Sequence, residues 1–101
     1  MTSHGIFYWN EFLTNDVEAA KTFFAESIGW TYDGTDMGTM TYWVAMHEGK
    51  PVGGIMKMPS EIPEGTPPHW MSYLAVDDVD ARLEKAKAAG GTVLHEPFDV
   101  P

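Results

Sequence analysis

The sequence predicts an α+β fold in which a strand followed by a helix occurs twice along a chain of 101 residues. The first observation is a pair of similar segments, "TNDVEAAKTFFAESIGW" and "VDDVDARLEKAKAAGGT", which both have an acidic helix cap near the start and glycine near the end. The second is their spacing, since Asp16 and Asp78 lie 62 residues apart, as do Gly29 and Gly91. The third is a set of three strand-like stretches between them. The pattern predicts a βαβββ unit followed by a βαβ unit, and it favours duplication of one block over a chance likeness of two amphipathic helices.

Composition restricts the class of protein. The hydrophobic fraction of 44% and the absence of a long apolar run indicate a globular domain that neither spans nor binds a membrane. A net charge of −9, from 6 basic and 15 acidic residues, argues against a nucleic-acid partner, because phosphates are held by Lys and Arg. The lack of cysteine excludes disulfides, thiolate metal sites and a cysteine nucleophile. We expect a cytoplasmic location, since no targeting signal is visible.

The first block begins with a predicted strand over residues 6–14, which are rich in aromatic residues. Asn15 or Asp16 can cap the following helix, and Glu18 has the capping-box spacing from Asn15. Gly29 supplies the left-handed residue that ends the helix. Four apolar residues recur at helical spacing and predict its buried face: Val17, Ala20, Phe24 and Ile28.

The second block repeats this plan. Residues 69–76 read as the strand, Asp77 or Asp78 as the helix cap, and Gly90–Gly91 as the stop. The predicted apolar face consists of Val79, Leu83 and Ala86. After it, "TVLHEPFDVP" offers one further strand.

Three strands are predicted between the blocks. "TYDGTDMG" is a weak and short one, residues 40–47 form a strong one, and residues 51–58 return from it through a tight hairpin. Gly53 and Gly54 lie inside the last strand and predict a bulge, or a place where another group approaches the backbone closely.

Taken in order, "FYWNEFLTNDVEAAKTFFAESIGW", "PVGGIMKMP" and "PPHWMSYLAVDDVDARLEKAKAAGGTVLHEPFDVP" resemble the glyoxalase, bleomycin resistance protein and extradiol dioxygenase group, the vicinal oxygen chelate superfamily. The resemblance implies paired βαβββ modules whose curved mixed sheets form a cup, often completed in a dimer. We therefore expect a single domain over residues 1–101, with a first module at 1–58, a linker at 59–68 and a second module at 69–101 that lacks its last two strands. Either truncation of a longer protein or a homodimer would account for those missing strands.

The same resemblance implies where a metal would bind. In metal-using members one ligand lies on the first strand of each module, seven residues before the capping aspartate, and these positions are Trp9 and Met71 here. Neither an indole nor a thioether suits the divalent ions of this family. We therefore expect no metal and no other cofactor, while a divalent ion at a non-standard site stays open.

Alternation along the two first strands gives the candidate site residues. Trp9 and Glu11 share one strand face, and His69, Met71 and Tyr73 share the matching face of the other. Trp9, Met71 and Tyr73 are candidates for substrate binding, and Glu11 and His69 for a catalytic acid–base pair. The alternative is that Glu11 bonds a tyrosine hydroxyl or a tryptophan N–H, while His69 is solvated.

The sequence thus favours a protein that binds a small, mostly apolar or aromatic molecule in a metal-free cup, and we expect it to act as a homodimer. One alternative is an enzyme of the same superfamily, a lyase, isomerase or dioxygenase that uses metal or acid–base chemistry. Another is a ferredoxin-like regulatory or interaction module with a βαββαβ arrangement and no ligand cup.

Overall fold

The computed structural model describes residues 4–97, which divide into two compact units. The larger unit comprises residues 7–73, and the smaller comprises residues 4–6 with residues 74–97. The elements in chain order are β1 Phe7–Thr14, α1 Val17–Ile28, β2 Thr31–Asp36, β3 Thr41–His47, β4 Lys50–Lys57, β5 His69–Leu74 and α2 Val79–Ala88.

A mixed five-stranded sheet organises the larger unit, with strand order β2-β3-β4-β1-β5. The strands β2, β3 and β4 form an antiparallel meander, whereas β1 and β4 run parallel with Glu11 opposite Gly54. The α+β class and the first βαβββ module are therefore confirmed. Five strands in this order exclude the βαββαβ arrangement of the ferredoxin-like alternative.

The first helix begins and ends at two of the predicted signals. The Asp16 side chain accepts the backbone N–H of Ala19 at 3.0 Å, and Gly29 takes a left-handed conformation with φ of 80°. The cap is thus Asp16, so the capping box predicted from Asn15 is wrong. Thr14 explains the preference, because its hydroxyl accepts the N–H of Asp16 at 3.1 Å and fixes the start of the helix there.

The apolar face of α1 packs on one side of the sheet. Phe24 contacts Phe12 of β1 edge to face at 5.5 Å between ring centroids, and Phe12 contacts Trp70 of β5 at 5.0 Å. Of the four residues predicted for this face, Ala20 is buried and Ile28 is 51% exposed. The helix therefore covers β1 and β5 mainly through aromatic rings.

In the smaller unit, α2 is capped by Asp78, whose side chain accepts the N–H of Ala81 at 3.1 Å. The helix ends at Ala88, and Gly90 follows it with a positive φ of 102°, so the predicted stop at Gly90–Gly91 is present, with Gly90 as its left-handed residue.

The rest of the second block departs from the prediction. No residue of α2 is buried among the described residues, and of its predicted apolar face Leu83 is half-buried while Val79 is 56% exposed. Residues 92–97, the described part of the predicted return strand, contain no strand, and residues 98–101 lie outside the described range. Neither helix in residues 4–97 is long and apolar enough to cross a membrane.

Candidate functional site

Four side chains on one face of the sheet form a hydrogen-bonded chain, which we call the quartet: Trp9, Glu11, Tyr42 and Tyr73. The indole Nε1–H of Trp9 donates to the hydroxyl of Tyr42 at 2.8 Å, and that hydroxyl donates to Oε1 of Glu11 at 2.7 Å. The hydroxyl of Tyr73 donates to Oε2 of Glu11 at 2.8 Å. Both oxygens of one carboxylate are therefore held by phenols from different strands.

Strand alternation places the quartet on the face opposite α1. Trp9 and Glu11 are two residues apart on β1, whereas Phe12, which points to the other side, packs against α1. Tyr73 comes from β5, next to β1 in the sheet. Tyr42 comes from β3 and reaches Glu11 across the intervening strand β4.

Gly54 on β4 makes that reach possible. It is paired with Glu11, and a Cβ built on it would collide with the hydroxyl and ring of Tyr42. The group that approaches the backbone at the Gly-Gly pair is thus a side chain of the protein itself. The predicted bulge is also present, because Ala45 pairs with Gly53 but Met46 pairs with Pro51, which leaves Val52 as the extra residue.

The environment of the quartet raises the pKa of both of its phenols. Burial, together with the hydrogen bond to Glu11, raises the pKa of Tyr73 to about 12. The same two causes, burial first, raise the pKa of Tyr42 well above its ordinary value. Glu11 is 8% exposed, and no buried side-chain nitrogen or oxygen in residues 4–97 lacks a hydrogen-bond partner. Hydrogen bonds from the two phenols therefore take the place of water around the carboxylate.

The structure brings three of the five predicted site residues together: Trp9, Glu11 and Tyr73. Met71 lies on the same strand face as Tyr73 by alternation and is 39% exposed. Nδ1 of His69 lies 2.9 Å from the carbonyl oxygen of Pro67, and among the described residues no hydrogen bond or ion pair joins His69 to Glu11. The acid–base role of that pair stays a prediction.

Tyr42 is the quartet member that sequence reasoning missed. Tyr42 lies on β3, which does not pair with β1 because β4 lies between them. The sequence alone therefore gives no reason to expect a contact between Tyr42 and residues of β1. The available signal was Gly54, because a glycine inside a strand indicates a close neighbour without naming it.

The residues at the family's metal positions do not fit a metal. The Nε1–H of Trp9 is a donor and is already bonded to Tyr42, and the Met71 thioether is a soft ligand. Within residues 4–97 no three His, Asp or Glu side chains converge in the manner of a metal site.

Comparison with known proteins identifies the family. The model for the Glyoxalase/Bleomycin resistance protein/Dioxygenase superfamily matches residues 8–101. A Mycobacterium bovis protein named "Putative glyoxylase CFP32" is 42% identical over 94 residues, which are 91% of this chain and 36% of that protein. The "Anthracycline biosynthesis protein DnrV" of Streptomyces peucetius is 31% identical over 93 residues, 92% of this chain and 33% of that protein. The chain thus spans about a third of the length of these relatives. It belongs to the glyoxalase/bleomycin resistance protein/dioxygenase superfamily.

Proposed function

We propose that the quartet face binds a small, mostly apolar or aromatic molecule without a metal. The observation that carries the proposal is the partly open group of aromatic side chains around Glu11. Tyr73 is 42% exposed and Met71 is 39% exposed, so a flat ligand can contact a phenol ring and a thioether on this face. Glu11, fixed by two phenols, supplies the polar contact that orients such a ligand.

The names of the relatives support a small-molecule ligand. DnrV is named for the biosynthesis of anthracyclines, and the family description includes resistance to bleomycin. Because this chain covers a third of DnrV, the ligand of the whole relative is carried over here only as a class.

Isothermal titration against a set of polycyclic aromatic compounds tests this proposal. Trp9→Phe keeps an apolar ring but removes the N–H that holds Tyr42, and we expect it to weaken binding about tenfold by loosening the quartet. The matched control is Tyr8→Phe, because Tyr8 is the adjacent aromatic residue on the opposite strand face and is 70% exposed. Equal affinities for wild type and Trp9→Phe would show that the quartet does not contribute to the binding site.

A second candidate function is an enzyme of the same superfamily, a lyase, isomerase or dioxygenase. The likeness to CFP32, which is named as a glyoxylase, favours it. Elemental analysis of protein purified without chelator separates the two candidates, since stoichiometric metal would support the metal-dependent enzyme. Turnover without metal that is lost in Glu11→Gln and in His69→Gln would support acid–base catalysis.

We further propose that the second block is an incomplete module and that the chain acts as a homodimer. The strand β5 is at an edge of the described sheet, and Trp70 and Leu74 on it are 43% and 57% exposed. An exposed apolar edge strand is a site for pairing with another chain. A light-scattering mass of twice 11.2 kDa is the expected result, and a mass of 11.2 kDa at micromolar concentration would contradict it.

A further inference from the structure

The quartet offers a ligand only hydrogen-bond acceptors. An indole N–H can only donate and a carboxylate can only accept, so the direction of every bond in the chain is fixed. The single O–H of Tyr42 goes to Glu11 Oε1 and the single O–H of Tyr73 goes to Glu11 Oε2. The N–H of Trp9 goes to Tyr42. What remains for a ligand are lone pairs on Glu11 and on the hydroxyl oxygen of Tyr73, a residue that is 42% exposed.

Among the described residues, the carboxylate of Glu11 also has no cationic partner. Buried carboxylates are usually paired with a basic group, yet no lysine or arginine in residues 4–97 forms an ion pair with Glu11. The lysine of the larger unit that lies among aromatic rings, Lys21, is instead 3.2 Å from the ring centroid of Trp43. Two phenols solvate the charge of Glu11 but do not neutralise it.

We propose that the quartet face selects aromatic ligands that carry a protonated amine and rejects those that carry an oxyanion. This inference rests on the proposed function and names the chemical class of its ligand. An ammonium group supplies both things that the quartet lacks, a hydrogen-bond donor and a positive charge, and it gains from the electron-rich ring of Tyr73. A carboxylate or phosphate would meet acceptor lone pairs and like charge.

Three naphthalene probes with the same ring and different head groups test the proposal: naphthylmethylamine as its ammonium ion, naphthalenemethanol and naphthoate. By titration calorimetry at constant ionic strength we expect the ammonium probe to bind about tenfold more tightly than the alcohol, since its hydrogen bond is charge-assisted. We expect no binding of the carboxylate. Binding of the carboxylate as tightly as the ammonium probe overturns the inference but leaves the proposed function intact. Failure of all three probes contradicts the proposed function and the inference together.

The indole N–H resonance of Trp9, assigned with the Trp9→Phe variant, shows where the probe binds. It is expected to shift in proportion to occupancy by the ammonium probe, and a saturating titration that leaves it unmoved overturns the proposal. The comparison of probes uses only the wild-type chain, so it does not depend on whether an altered quartet folds, and Trp9→Phe is needed only to assign the resonance.

Glu11→Gln then tests the origin of the selectivity. The variant should bind the ammonium and alcohol probes about equally tightly, because the side chain keeps its size and loses its charge. The matched control is Glu26→Gln, which makes the same change in net charge at an exposed position of α1 and should keep the preference. Loss of the preference in both variants would attribute it to the net charge of the chain and overturn the role of Glu11.

Discussion

Gly54→Ala is the substitution that tests the architecture of the site most directly. Gly54 is buried on β4 between Glu11 and the strand that carries Tyr42, and a methyl group there would occupy the position of the Tyr42 hydroxyl. The neighbouring atoms belong to a ring whose hydroxyl is held from two sides, by Trp9 and by Glu11. The phenol must therefore leave its place and lose both hydrogen bonds.

The cost of Gly54→Ala follows from those bonds. Loss of the neutral bond to Trp9 costs about 1 kcal/mol, and loss of the bond to the Glu11 carboxylate costs about 2 kcal/mol. Alanine is favoured over glycine inside a strand and recovers about 0.5 kcal/mol. We expect a net loss of about 2.5 kcal/mol in the free energy of unfolding, which for a domain of this size lowers Tm by at least about 10 °C.

A double-mutant cycle with Tyr42→Ala provides the control. Urea unfolding followed by circular dichroism gives the free energy of unfolding for the wild type, both single variants and the double variant. In the Tyr42→Ala background the phenol is absent, so Gly54→Ala should be neutral to within about 0.5 kcal/mol. An equal cost of Gly54→Ala in both backgrounds would refute the reasoning, because glycine would then be required for some reason other than the ring of Tyr42.

Two further predictions concern the helix caps and the phenols. Asp16→Ala and Asp78→Ala should each lower the free energy of unfolding by about 1 kcal/mol in urea titrations. Replacement of either aspartate by asparagine should cost little, because asparagine also caps helices. An unchanged unfolding midpoint in either alanine variant would contradict the capping role of that residue. The raised pKa values of Tyr42 and Tyr73 mean that the folded protein keeps phenol protons that the unfolded chain releases near pH 10. The stabilising contribution of Tyr73 is therefore complete below about pH 10 and is lost progressively between about pH 10 and 12, while that of Tyr42 continues to fall at higher pH. Tm should therefore decrease as the pH rises through this range, and the decrease should be smaller in Tyr73→Phe. An identical decrease in wild type and variant would show that Tyr73 does not cause it.

The elements that could be predicted from sequence are those with local signals. The cap at Asp16, the left-handed stop at Gly29 and the β3–β4 hairpin all depend on residues within a few positions of each other. The predictions that failed required tertiary information. The apolar face of α2 has the right spacing, but spacing cannot say whether a partner covers it. Similarly, "TVLHEPFDVP" has strand-forming residues, yet residues 92–97 form no strand.

The candidate site divides in the same way. Alternation along single strands placed Trp9 and Glu11 on one face, and the repeat placed Tyr73 on the corresponding face of β5, because each inference needs only the period of a strand. Tyr42 could not be placed, since its contact with Glu11 depends on β4 lying between β1 and β3 and on the parallel register that sets Gly54 beside Glu11. Pairing order and register are properties of the folded sheet, and a single sequence specifies them only weakly.

The contacts between β1 and β5 bear on how the site arose. The side chains of Asn10 and Ser72 are hydrogen-bonded at 2.6 Å, as are those of Glu11 and Tyr73 at 2.8 Å, and both pairs are separated by 62 residues, the spacing of the two helix caps. Duplication of an ancestral block stays a hypothesis, but two copies of one strand lying side by side would bring equivalent positions together in this manner. If the two blocks had stayed identical, the position of Glu11 and Tyr73 would hold either two carboxylates or two phenols. Two buried carboxylates repel each other, and two phenols carry no charge that a ligand could bind. The binding that we propose needs one carboxylate and one phenol at this position. The two copies must therefore differ there, as Glu11 and Tyr73 do.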